Sequence, residues 1–177
     1  KKTTLPGLQT GEHYAIFDDS NTGAKMLLEN KVDFGDKWTA SAAVTNIRNK
    51  GKWKTLFRGK DGDHQIIVNR AGFLGSYIND LSGSTDQFKK TTYNVSAIDD
   101  DLPHIITAVG TTDNITFWVD GEKVGVIASK STTDIYSIGN TLVGGQPFAQ
   151  HIDNVQIHTT NLTDKQIRRI AEGSVVT

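Results

Sequence analysis

The residue with the clearest capacity for ligand binding is Trp118, in the alternating run of residues 114–120. Successive side chains of a strand point to opposite faces, so Ile115, Phe117 and Val119 would face a core and Trp118 would face outward. An outward tryptophan is a flat apolar surface on which a sugar ring or another flat ligand can stack. The alternative interpretation is that the N-terminal arm or a C-terminal helix covers this face and buries Trp118.

Four further side chains on or beside the middle strands could bind a ligand, namely Arg58, Arg70, Tyr77 and Asn79. An arginine binds a carboxylate through paired hydrogen bonds, a tyrosine stacks, and an asparagine both donates and accepts. Arg70 has the best position in the sequence, because it directly precedes the glycine-flanked run at 72–75. The alternative for each arginine is a solvated surface side chain or an ion pair.

Asp61 and Asp63 stand two positions apart in a glycine-containing turn. Two carboxylates with this spacing can bind one hard cation, so the sequence offers them as ligands for Ca²⁺. The full EF-hand pattern is absent, and the same tripeptide is common in ordinary turns. Other acidic residues are candidates for a cation site at the rim: Asp99, Asp100, Asp101 and Asp113.

The acidic residues argue against catalysis. Glycoside hydrolases place two carboxylates about 5–5.5 Å or about 6.5–9.5 Å apart. The glutamates, Glu12, Glu29, Glu122 and Glu172, have no acidic partner at a matching strand spacing. The absence of cysteine excludes thiol nucleophiles and cysteine-bound metals. We therefore expect a non-enzymatic protein, with a glycoside hydrolase as the least favoured alternative.

Composition limits the classes of partner. The 177 residues carry 19 Lys and Arg against 20 Asp and Glu, so there is no overall basic charge to attract nucleic acid. No apolar run approaches the roughly 20 residues of a membrane-spanning helix. The length suits one domain. We predict an N-terminal arm over residues 1–12, where Pro6 and Gly7 break regular structure, followed by one domain over residues 13–177.

Short alternating runs separated by turn residues predict an all-β protein, a two-sheet antiparallel sandwich with one short C-terminal helix. Asp120-Gly121 between apolar runs is a strong hairpin signal, and Trp38 and Trp53 fall on strands that could supply the core. Thr163 and Gln166 fit a capping box at the start of the helix. The predicted strands are 13–17, 25–28, 38–47, 53–58, 64–69, 72–78, 91–95, 104–109, 114–119, 123–128, 141–143 and 152–157.

The order of these motifs resembles the laminin G-like domains of the concanavalin A-like lectin/glucanase superfamily, over roughly residues 13–172. One departure is Pro103, which stands before His104 where the family usually has tryptophan. The motifs that carry the resemblance are VDF at 32–34 with WTA at 38–40, WKTLF at 53–57, GFLGSYI at 72–78, HIITAV at 104–109, TFWVDGEKV at 116–124, IG at 138–139, IDNVQI at 152–157 and LTDKQI at 162–167.

This resemblance implies a concanavalin A-like jelly roll and, as the leading function, a non-catalytic carbohydrate-binding module. Many members of the family hold one calcium ion at a sandwich rim. Related modules attached to bacterial sialidases bind sialic acid with arginines, which makes Arg70 the first candidate for that role. The expected partner is therefore a glycan or glycoprotein surface, and the expected location is extracellular, on a bacterial cell or a virion.

A structural or adhesive role is the alternative function. In that case the sandwich would contact protein, for instance as a decoration or tail component of a virus particle. Leu5, Pro6 and Leu8 of the N-terminal arm could then mediate protein contacts or self-assembly.

Overall fold

The computed structural model describes residues 15–16, 23–47, 51–60, 62–79, 86–98 and 102–176. These residues form strands and one short α-helix, as the alternating sequence pattern predicts. The strands are β1 Ala15–Ile16, β2 Met26–Asp33, β3 Trp38–Thr45, β4 Lys54–Arg58, β5 His64–Val68, β6 Phe73–Tyr77, β7 Phe88–Asn94, β8 His104–Gly110, β9 Ile115–Val119, β10 Glu122–Ile127, β11 Asp134–Ile138 and β12 His151–His158; the helix is α1 Asp164–Ala171.

The strands form two six-stranded antiparallel sheets. The first sheet has the order β1-β12-β3-β8-β9-β10, and the second has the order β2-β11-β4-β5-β6-β7. Neighbours in each sheet are often distant in sequence, as expected for a jelly roll. The predicted sandwich is confirmed.

The main core lies between the two sheets. Trp38 and Phe117 from the first sheet and Leu56 and Ile66 from the second are fully buried in one cluster. Ile115, Phe117 and Val119 are all buried there, as the alternation predicts. The indole nitrogen of Trp38 donates to the backbone oxygen of Ser131 (2.8 Å), so this large side chain keeps its polar atom satisfied.

A second, smaller cluster lies on the outer face of the first sheet. Ile167 and Ile170 of α1 pack there with Ile105 and Trp118. The helix begins at the predicted capping box, in which the Thr163 and Gln166 side chains bond to each other's backbone nitrogen. The C-terminal helix therefore turns one sheet face into a second core.

Two details of the element prediction need correction. Residues 141–143 are not a strand, because Gly144 N donates to the Thr141 carbonyl and closes a turn. The strand in this part of the chain is β11, which the sequence analysis did not predict. The predicted N-terminal arm, residues 1–12, lies outside the described residues. Within the described part of the chain, no helix has the length and apolar character needed to cross a membrane.

Candidate functional site

The outer face of the second sheet carries a row of side chains across four neighbouring strands. Phe57 and its partner Ile66 lie in the core cluster. The register shifts between Phe57 and Arg58, and beyond this shift the next pair, Arg58 and His64, lies outside that cluster with a hydrogen bond between the two side chains. Residues paired directly across strands share a face, and the register extends this row through β6 and β7. The cross-strand row consists of Arg58 on β4, His64 on β5, Tyr77 on β6 and Phe88 on β7.

His64 organises the polar end of this row. It is only 9% exposed, and burial, with a smaller contribution from the charge of Arg58, lowers its pKa to about 3. The ring is therefore neutral near pH 7, with one nitrogen as donor and the other as acceptor. Its Nε2 accepts from Arg58 Nε (3.2 Å), so its Nδ1 is the donor to Thr55 Oγ1 (2.9 Å).

The same hydrogen-bond chain continues to Gln146. With its oxygen accepting from His64, the Thr55 hydroxyl donates its own hydrogen to Gln146 Oε1 (2.8 Å). The chain thus runs in one direction from Arg58 through His64 and Thr55 to Gln146. It orients the Gln146 side chain so that its NH₂ group points away from Thr55, as a donor.

A buried asparagine fixes the loop that carries Gln146. Asn140 is fully buried, and its Oδ1 accepts from the backbone nitrogens of Thr141 and Gln146, at 2.8 Å each. Its Nδ2 donates to the Ala24 carbonyl (2.9 Å). The backbone nitrogen of Thr55 also donates to the Gln146 carbonyl (3.0 Å). Backbone and side-chain bonds together hold Gln146 over β4.

Three half-buried aromatic rings lie at the other end of the row. Trp53 stands edge-on to Tyr77 and Phe88, with ring centroids 6.3 Å and 5.0 Å apart and interplanar angles of 89°. The Tyr77 ring also meets His64 at a tilted angle, with centroids 5.7 Å apart. The Tyr77 hydroxyl donates to the side-chain oxygen of Gln87. The face therefore combines apolar rings with oriented polar groups, as ligand sites commonly do.

The structure brings together two of the predicted binding residues, Arg58 and Tyr77. Arg70 is exposed in the turn after β5, at the opposite end of that strand from His64 and roughly 15–20 Å away along the chain direction. Asn79 is used structurally: its backbone nitrogen donates to Asp63 Oδ1 (2.7 Å) and its side chain donates to the Gly62 carbonyl. Arg70 and Asn79 therefore do not belong to the cross-strand row.

The prediction that Trp118 offers a stacking surface is wrong. Its side chain points outward from the main core, as the alternation predicts, but it is only 4% exposed. The C-terminal helix covers it through Ile167 and Ile170, which is the alternative considered for this residue. Trp53, which was a candidate for the core, is instead half-exposed beside the row.

The calcium site stays a prediction. Asp63 is buried, with Oδ1 accepting from Asn79 N, and Asp61 lies outside the described residues. Of the rim candidates, residues 99–101 are also outside, and Asp113 accepts from the Thr112 hydroxyl (3.1 Å). In the portion of the chain that the structure describes, no three His, Asp or Glu side chains form a group suited to a metal.

Sequence reasoning missed His64, Thr55, Gln146, Trp53 and Phe88 as members of this face. Thr55 and Gln146 are 91 positions apart, so no local pattern connects them. His64 starts a run of buried residues, and a histidine at such a position is the one sequence feature that could have directed attention to this strand end.

The chain belongs to the concanavalin A-like lectin/glucanases superfamily, whose family profile matches residues 18–168. This agrees with the resemblance read from the motifs and with the two-sheet architecture. A search of curated protein sequences gave no match.

Several solved structures share the fold. A heptameric SAP-like pentraxin from Limulus polyphemus superposes with a TM-score of 0.61, covering 89% of this chain and 80% of the pentraxin. The CBM40 module of Ruminococcus gnavus IT-sialidase, solved with α2,3-sialyllactose, gives 0.58 and covers 83% and 96%. A leech intramolecular trans-sialidase gives 0.66, covering 94% of this chain but 28% of the enzyme. Identity is 13% in each case, so these similarities concern the fold.

Proposed function

We propose that this chain is a non-catalytic carbohydrate-binding module that binds a carboxylate-bearing sugar on the outer face of its second sheet. The observation that carries the proposal is the pairing of a charged, half-exposed Arg58 with a neutral His64, next to half-exposed aromatic rings. Structural similarity to the CBM40 module, solved with a sialylated sugar, supports the same ligand class.

Arg58 supplies the charge for this interaction. A guanidinium stays protonated at any physiological pH and matches a carboxylate geometrically. His64 accepts from Arg58 Nε and so orients the guanidinium plane, while Arg58 Nη1 also approaches the Lys60 carbonyl (3.4 Å). The histidine adds no charge of its own, so the local positive charge is that of the arginine.

Trp53, Tyr77 and Phe88 supply the apolar part of the site. The carbon-bound hydrogens of a sugar ring pack against aromatic surfaces, while its hydroxyls need donors and acceptors nearby. Gln146 presents its NH₂ group as such a donor. Among the described residues, those named here for the face (Arg58, His64, Thr55, Gln146, Trp53, Tyr77 and Phe88) carry no carboxylate, so they do not supply the acid pair that glycoside hydrolysis requires. Binding without cleavage follows from that set of side chains.

The test is a residue-resolved NMR titration with α2,3-sialyllactose and, as its carboxylate-free counterpart, lactose. We expect sialyllactose to shift the side-chain signals of Arg58, Gln146 and Tyr77 saturably, and lactose to leave Arg58 unshifted. Arg58→Ala should weaken sialyllactose binding by about 10–100-fold, the value of a charge-assisted hydrogen bond of about 1.5–3 kcal/mol. Arg70→Ala is the matched control and should bind as the unmodified protein does.

Equal affinity of Arg58→Ala and the unmodified chain for sialyllactose would contradict this site. Running the titration once with calcium and once with chelator also tests Asp61 and Asp63 as calcium ligands. A role at a bacterial cell or virion surface is part of the same proposal, because glycans with terminal carboxylates are displayed on cell and particle surfaces. Binding of labelled protein to intact cells, with and without prior sialidase treatment, would test it.

A further inference from the structure

Strand β2 contains a large bulge opposite β11. Leu27 pairs with Ser137 and Val32 pairs with Ile135, so β2 advances five residues while β11 advances two. The additional residues of β2 have no partners in that ladder, and Glu29, Asn30 and Lys31 among them are exposed. Bulges occur preferentially at sheet edges, where β2 lies, and beside functional sites, where they redirect side chains.

The bulge forms one wall of a cleft of about 530 Å³. Such a volume suits a small ligand. Tyr136, the residue of β11 that lies between the two register pairs, lines the cleft together with Lys60 and Asp134. None of these residues belongs to the cross-strand row. The cleft adjoins the Arg58 end of that row, because Arg58 Nη1 donates to the Lys60 carbonyl (3.4 Å), but the side chains that line it are different ones.

The lining residues Lys60, Gly62 and Thr133 are held beside the start of β11 by hydrogen bonds and close packing. Lys60 N donates to Asp134 Oδ2 (2.9 Å), and Asp63 N donates to Thr133 Oγ1 (3.3 Å). Gly62 approaches Thr133 so closely that a Cβ at this glycine would lie 2.7 Å from the threonine Oγ1. Lys60 and residues 62–63 are thus fastened to Thr133 and Asp134, at the start of β11, and these contacts exist before any ligand arrives.

The charges that line the cleft balance. Among the described lining residues, Glu29 and Asp134 contribute two negative charges and Lys31 and Lys60 contribute two positive charges, and Lys31 also pairs with Asp33 (2.7 Å). A balanced lining does not favour a strongly charged ligand, whereas carboxylate, ammonium and amide groups together suit a ligand whose hydroxyls both donate and accept. Tyr136 adds an aromatic ring, over which the Lys60 ammonium already lies at 5.8 Å from the centroid.

We propose that the cleft between the β2 bulge and Tyr136 is a second binding site, which takes an uncharged sugar unit. The ligand would pack against Tyr136 beside the Lys60 ammonium and exchange hydrogen bonds with Glu29, Asn30 and Lys60. Its side chains differ from those of the carboxylate-binding face, so each proposal is tested with its own ligand and can fail separately. Together they describe a module that binds two parts of a glycan, or two glycans, at different positions.

The test is an NMR titration of the full chain with an uncharged panel: glucose, galactose, mannose, fucose and N-acetylglucosamine. Each sugar is added to about 10 mM, roughly ten times a millimolar Kd. We expect at least one of them to shift the signals of Asn30, Gly62 and Tyr136 saturably. The same shifts should appear in Trp53→Ala, which changes the aromatic end of the carboxylate-binding face, the end away from Arg58 and Lys60.

Two variants test whether the sugar-induced shifts come from binding in this cleft. Tyr136→Ala should weaken the shifting sugar by about tenfold or more, as expected for loss of an aromatic contact and its apolar area. Glu29→Gln changes an exposed side chain and leaves the fold intact; it should weaken the same sugar by a few-fold, whereas Glu122→Gln, on exposed β10, should not. No shift with any sugar of the panel, or shifts that survive both Tyr136→Ala and Glu29→Gln unchanged, would overturn the proposal.

Discussion

The outer faces of the two sheets differ in whether another part of the chain covers them. On the first sheet, the outward residues Ile105 and Trp118 lie beneath the C-terminal helix and form an apolar cluster with it. On the second sheet, the outward residues Arg58 and Tyr77 remain half-exposed and join a hydrogen-bonded and aromatic surface. Alternation along a strand decides which side chains point outward, but the path of the rest of the chain decides which of them a ligand can reach.

Two tryptophans make this contrast testable. Trp118 and Trp53 both lie outside the main core, one beneath α1 and one beside the cross-strand row. The first should contribute mostly to stability, and the second mostly to binding. The predictions below separate these contributions, beginning with the largest effect.

Trp118→Ala should lower the free energy of unfolding by about 3–5 kcal/mol, because it removes a fully packed aromatic side chain and leaves a cavity under α1. Urea unfolding followed by circular dichroism measures this loss. Trp53→Ala is the matched control: it should cost less stability, because the side chain is only half-buried, and should weaken sialyllactose binding. A larger stability loss for Trp53→Ala than for Trp118→Ala would reverse the assignment of the two faces.

His64 should make the second sheet sensitive to acid. The pKa of His64 is about 3 in the folded protein, well below its ordinary value of 6.5. On acidification the unfolded chain therefore takes up the proton first. The contribution to stability is complete above about pH 6.5 and is lost progressively as the pH falls toward about 3. Relative to His64→Gln, the unmodified protein should lose about 2–3 kcal/mol between about pH 8 and about pH 4.5.

Unfolding curves of the two proteins at matched pH values measure that difference. Glutamine keeps a donor and an acceptor but does not titrate, so other acidic groups cancel in the comparison. Parallel pH profiles for the two proteins would show that His64 is not held neutral by its surroundings.

Thr163→Ala should have the smallest effect, about 1 kcal/mol, because it removes the N-cap of α1 and its bond to the Gln166 backbone nitrogen. Thr159→Ala, at an exposed position before the helix, is the control. Both variants should leave the sialyllactose-induced shift of Tyr77 unchanged, because the helix lies on the other sheet. A changed Tyr77 shift in Thr163→Ala would mean that the two faces are coupled.

The sequence predicted best what short-range geometry determines. The Asp120-Gly121 hairpin and the Thr163–Gln166 capping box are both present, with positive φ angles at the two turn residues. Each feature depends on residues within a few positions of one another, so its local pattern is sufficient. The order of weak motifs also indicated the superfamily to which the chain belongs.

What depended on distant contacts could not be predicted in the same way. The burial of Trp118 requires Ile167 and Ile170 to dock about 50 positions later in the chain, and the Thr55–Gln146 bond joins positions 91 apart. Strand β11 escaped detection because its five residues, DIYSI, lack simple alternation, and its pairing with β2 joins residues about 100 positions apart. Arg70 was favoured in the sequence because it precedes the glycine-flanked run at 72–75. Only the strand register shows that the cross-strand row lies at the other end of β5.

The fully buried Asn140 has a consequence for the entropy of binding. Because its amide fixes the backbone at Thr141 and Gln146, and Thr55 fixes the Gln146 side chain, this part of the surface is already ordered before a ligand arrives. Immobilising a flexible side chain on binding costs about 0.5–1.5 kcal/mol. A ligand that meets Gln146 and the His64-anchored Arg58 avoids much of that cost, so a small number of contacts can hold a sugar that is otherwise well solvated by water.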